Sequence, residues 1–78
     1  MAYSSDPVVA KQVVTTSTHL VVITRQRQHE IPWERCSPKL AQAGLMERSR
    51  AELSPSGYSI YWPLLDEDLA VGPLILEA

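Results

Sequence analysis

The sequence predicts an α+β domain, and three observations carry that prediction. The first third is rich in β-branched residues, the middle changes to helical composition behind a Ser-Pro pair, and a clear two-residue alternation returns at Tyr58–Trp62. Links between consecutive strands are short, which favours antiparallel pairing, and helices between them must cover a sheet face. The expected order is β-β-β-α-α-β with a C-terminal helical turn: a small antiparallel sheet with helices on one face.

Residues 1–7 are small and polar and end in the turn-like pair Asp6-Pro7. They read as a flexible terminus preceding a single domain over 8–78. Val8 to Thr16 is dense in valine and threonine, whose branched Cβ atoms suit a pleated strand. Ser17-Thr18 interrupts it, and His19 to Thr24 forms a second strand, apolar on both faces at its centre. Arg25-Gln26-Arg27 makes a polar turn into Gln28 to Trp33, whose alternation places His29, Ile31 and Trp33 on one side. Pro32 has no N–H to give a ladder, so this strand belongs at an edge or ends there.

Ser37-Pro38 is a helix start, with a serine oxygen at the N-cap and a proline preset for the first turn. That helix carries Leu40 and Ala43 and is terminated by Gly44. Leu45 to Leu53 resumes helical composition, and Ser54-Pro55-Ser56-Gly57 is a turn. The fourth strand then puts Tyr58, Ile60 and Trp62 on the core side, with Ser59 and Tyr61 on the other. Pro63 stops it. Leu64 to Val71 reads as an acidic turn between apolar flanks, and Gly72 to Leu76 as a short helical turn.

At 78 residues with a net charge of −2, the chain has room for one small core. Its longest apolar run, Leu20–Ile23, is far below the ~20 residues of a membrane-spanning helix. One cysteine, Cys36, excludes an internal disulfide and a multi-cysteine zinc site. With no secretory signal visible, the expected compartment is the cytoplasm. All seven basic residues lie in the first fifty positions against four acids, whereas the last twenty-eight carry five acids and no base. The basic excess is too thin and scattered to bind a phosphate backbone unaided.

No catalytic, cofactor or metal site emerges. Asp66-Glu67-Asp68 could ligate a hard cation, but the glycine and glutamate of a calcium loop are missing, and a turn built on carboxylate–backbone bonds accounts for it. Cys36, with His19 or His29, lacks a third orienting group and reads as a small linker residue. For protein interaction, the candidates are Tyr61, Val21 and Ile23, on the face away from the helices, and Arg25, Arg27 and Arg35 near Trp33 as an arginine–aromatic anchor.

The string Gly57-Tyr58-Ser59-Ile60-Tyr61-Trp62-Pro63, followed by Leu65-Asp66-Glu67-Asp68-Leu69, resembles the signature of a prokaryotic family known as domain of unknown function number 2442. The helical middle, Pro38-Lys39-Leu40, Ala43 and Glu47-Arg48, fits without gaps, so the resemblance spans about Thr18 to Leu74. Arg25-Gln26 stands where many members have Asp-Gly, and the tryptophan typical of the second helix's end is replaced near Ala51. The resemblance implies that Gly57, Ile60, Trp62, Pro63, Asp66, Glu67 and Asp68 serve the fold. It supplies no catalytic residue. Relatives resemble small α+β domains, some fused to a helix-turn-helix that this sequence lacks, and often paired with a second small protein as in toxin–antitoxin modules.

The expected function is therefore a non-catalytic protein-binding module, antitoxin-like or accessory, partnered by another small protein or by itself. A nucleic-acid regulator acting with a partner is the alternative through Arg25, Arg27 and Arg35. A thiol or hydrolytic enzyme using Cys36 or Asp66 is the other.

Overall fold

The computed structural model describes residues 8–77, so the expectation for residues 1–7 lies outside the described residues. The chain is α+β, but its strands form two sheets rather than one. Strands β1 (Ala10–Thr15), β2 (His19–Thr24) and β3 (Gln28–Pro32) make an antiparallel meander. Three short helices follow: α1 (Trp33–Cys36), α2 (Pro38–Ala41) and α3 (Leu45–Ser49). A second antiparallel meander, β4 (Glu52–Leu53), β5 (Ser59–Trp62) and β6 (Glu67–Ala70), leads into α4 (Val71–Glu77).

The two tight turns of the first sheet use one device twice. The Thr16 hydroxyl accepts the backbone N–H groups of Thr18 and His19 at 3.3 and 2.9 Å. Eight residues later the Thr24 hydroxyl accepts those of Gln26 and Arg27, both at 3.3 Å. Each threonine thus satisfies two N–H donors that a tight reversal would otherwise leave to water. The bonds from Thr24 N–H to the Arg27 carbonyl and from Trp33 N–H to the Thr18 carbonyl also fix the pairing phase of β3. In that phase Pro32 faces outward from the ladder, so its missing N–H costs no bond.

Leu20, Val22 and Ile31 face the interior from the first sheet, and Ile60 and Trp62 from the second; all five are fully buried. With Ala10, Trp33, Leu40, Val71 and Leu74 they form one continuous core that both sheets share. Trp33 and Trp62 meet edge to face, with ring centroids 6.3 Å apart at 79°. This geometry contributes about 0.5–1.5 kcal/mol beyond the area the rings bury. Each indole N–H is satisfied, Trp33 by the Thr16 carbonyl at 2.9 Å and Trp62 by the Arg48 carbonyl at 3.0 Å.

Several expectations need correction. The helix read over Leu45 to Leu53 ends at Ser49, because Glu52 and Leu53 pair with Tyr61 and Ile60 as β4. The acidic stretch after Pro63 is a turn only as far as Asp66; Glu67–Ala70 is a strand, drawn into extended form by pairing with β5. Tyr58 is 48% exposed rather than core, because β5 begins one residue later and Tyr58 gives its carbonyl to Val71 N–H at 2.8 Å. Trp33 starts α1 instead of ending β3. The Ser37 N-cap is present as read, its hydroxyl accepting Leu40 N–H at 3.1 Å.

Candidate functional site: the outer face of the second sheet

Pairing in the second sheet sorts its side chains by face. Leu53, Ile60 and Leu69 form one row across β4, β5 and β6; Trp62 and Glu67 continue that core side. The opposite, outer side carries the row Glu52, Tyr61 and Asp68. The turn joining β5 to β6 adds a third acid there. Asp66 adopts φ 51°, a left-handed conformation that aspartate tolerates better than most residues, and its carboxylate accepts the Tyr61 hydroxyl at 3.3 Å. Reduced hydration, then the charge and hydrogen bond of Asp66 and the charges of Glu52 and Asp68, hold the Tyr61 phenol above its ordinary pKa.

The three consecutive acids therefore diverge. Asp66 turns to Tyr61 and Asp68 stands on the outer face. Glu67 turns inward toward Lys39, 3.9 Å from its ammonium, which also donates to the Leu65 carbonyl at 3.1 Å. Among the described residues, no lysine or arginine lies within ion-pair distance of Glu52, Asp66 or Asp68. Nor do any three His, Cys, Asp or Glu side chains there converge in a way that could hold a metal ion.

Beside this acidic face runs a groove of about 590 Å³ between α3 and the start of the β5–β6 turn. Met46, Ala51, Pro63 and Leu64 supply its apolar surface, and Ser49, Arg50 and Glu52 its polar surface. Met46 is 63% exposed and Leu64 57% exposed, and both line this one groove, so their apolar surface is contiguous rather than scattered. Glu52 belongs to both the groove and the outer row, so the two features are one continuous surface.

Other residues singled out in the sequence are placed differently. Trp33 is buried beneath the Arg48 guanidinium, which stacks 5.4 Å from its ring centroid, and has no surface to offer. Val21 lies on the outer side of the first sheet but is shielded between Val14 and Glu30, its lateral neighbours; Ile23 on the same side is half-buried. Arg25 and Arg27 are exposed at the β2–β3 turn, whereas Arg35 lies beyond the other end of β3, so the arginine–aromatic anchor does not assemble. At roughly 3.3 Å per residue, the strand between them separates these groups by about 20 Å.

Cys36 is half-buried, its thiol 3.6 Å from the Pro32 carbonyl, and burial chiefly pushes its pKa up to about 11. A thiol held protonated is a poor nucleophile. Met46, Leu64 and Glu52 were not legible as surface-forming residues, because Leu45–Leu53 has the composition of a continuous helix. Pro63, which ends the fourth strand and opens the turn carrying Leu64, was the available signal.

The fold and this surface define a small α+β domain: two antiparallel meanders joined by a tryptophan-centred core, with an apolar groove opening onto an acidic sheet face. The chain belongs to the family described as protein of unknown function (DUF2442), whose model matches residues 10–77. It is also similar to a protein of unknown function from Rhodospirillum rubrum ATCC 11170, known from a crystal structure at 2.75 Å resolution. The likeness has a TM-score of 0.78 at 22% identity and covers 91% of this chain and 88% of that chain, which shows a common fold. No curated protein matches the chain.

Proposed function

We propose that this chain is a non-catalytic protein-binding module, and that it binds through the groove and the adjoining outer face of the second sheet. The observation that carries this reading is the exposure of Met46 and Leu64 at the mouth of a groove continuous with Tyr61. Apolar and aromatic side chains at the centre, bordered by charged residues, are the usual composition of a protein interface. The ionisable groups support the same reading. Lys39 and Arg48 are engaged in holding backbone carbonyls, and the Cys36 thiol is kept protonated.

The partner is a protein in this reading, either a second small protein or another copy of the chain. Nucleic acid is disfavoured at this surface by three uncompensated carboxylates facing any phosphate backbone. The test compares the wild-type chain with a Met46→Ser/Leu64→Ser variant, each tagged and recovered from the cells that make it. Equal melting temperatures establish that the variant is folded. Recovery of a stoichiometric partner, or a light-scattering mass above the monomer, with wild type alone supports the proposal. A wild-type monomer that brings nothing with it counts against it.

A further inference from the structure

The chemistry of that surface also specifies its occupant. Resting on the binding reading above, we infer that the groove receives an extended or helical peptide segment of a partner protein, with apolar side chains beside two or more lysines or arginines. The apolar part follows from the groove itself: Met46, Ala51, Pro63 and Leu64 offer no hydrogen bond through their side chains and reward only the exclusion of water. The basic part follows from charge. One base, Arg50, lines the groove, against Glu52 in the groove and Asp66 and Asp68 on the adjoining face.

None of these three carboxylates has a lysine or arginine partner among the described residues, so a cationic segment finds them unneutralised. Tyr61 lies between Glu52 and Asp68 in the outer row, its ring partly exposed. A guanidinium or ammonium above it would meet a ring face and two flanking carboxylates together, and its aliphatic stem would cover the ring. An acidic segment meets repulsion at the same three positions. Complementary charge here sets which partner docks and how fast, while the apolar anchors hold it.

The experiment selects a displayed library of random dodecapeptides on the wild-type chain and measures the winners, as synthetic peptides, by fluorescence anisotropy. The expected winners combine large apolar residues with at least two lysines or arginines. Their affinity is expected to fall roughly tenfold on a Glu52→Lys/Asp68→Lys variant, and by a smaller factor on Asp68→Lys alone, which keeps the test open if the double variant is misfolded. Winners that are acidic or uncharged, winners indifferent to charge reversal, or no winners at all would overturn the inference. Those results leave the binding reading itself to be judged by partner recovery with the Met46→Ser/Leu64→Ser variant, so the two can fail separately.

Discussion

Arg48 ties α2 to both tryptophans of the core. Its guanidinium donates to the Leu40 and Ala41 carbonyls at 2.8 and 2.7 Å, closing the open end of α2, and it lies over Trp33 while its own carbonyl receives the Trp62 indole. Arg48→Ala strips the two carbonyls of their donors and uncovers the ring. Chemical denaturation should show a loss of about 2–4 kcal/mol, and a loss below ~1 kcal/mol would remove Arg48 from this role. Cys36 makes a pH-dependent prediction. Burial pushes its pKa up to about 11 in the fold, against the ordinary thiol value of 9.0. Between these values the unfolded chain has released the thiol proton and the folded chain has not. The stabilisation linked to this thiol is therefore fully present below pH 9 and lost as pH rises toward 11. Comparing wild type with Cys36→Ala across that window isolates the thiol, and parallel stability curves would contradict the burial argument.

At the scale of elements, local chemistry was legible where a residue satisfies its own neighbourhood. The span His19–Thr24, the Ser37 cap, and the burial of Ile60 and Trp62 could all be read from side-chain type and spacing. What could not be read was set by pairing at a distance. Glu52-Leu53 has helical composition and Glu67-Asp68-Leu69-Ala70 weak strand propensity, and both become strands because β5 lies between them. The groove was hidden for the same reason, since it exists only where α3 stops early. The hairpin device of the first sheet gives a clean test: Thr16→Val and Thr24→Val keep shape and strand propensity but remove the accepting hydroxyl. Each should cost about 1 kcal/mol by urea denaturation, and no measurable cost would mean that water serves those N–H groups equally well. Gly57 joins the meanders, its carbonyl accepting Ala10 N–H at 2.9 Å while its φ is 82°. A Cβ there would fall 2.5 Å from both the Ala10 oxygen and the Val9 Cγ1. Gly57→Ala should therefore destabilise by roughly 2–4 kcal/mol; a neutral outcome in thermal melting would contradict the close approach.

On the scale of the whole molecule, the interior is occupied by joining the two sheets. Ten residues from both sheets and from α1, α2 and α4 meet in one core, and the two tryptophans at its centre come from opposite sides of the junction. The apolar-walled groove lies outside that core, where α3 ends and the β5–β6 turn begins. Among the described residues no helix is long and apolar enough to cross a membrane. The core therefore serves stability, and the recognition proposed for the chain falls to the groove. The most direct measurement places a photo-crosslinking residue at Leu64 and, separately, at Gln26 on the β2–β3 turn, in cells making the chain at its native level. A discrete crosslinked protein, whether another chain or a second copy, is expected from position 64 and none from position 26. Equal labelling from both positions, or none from position 64, would contradict it.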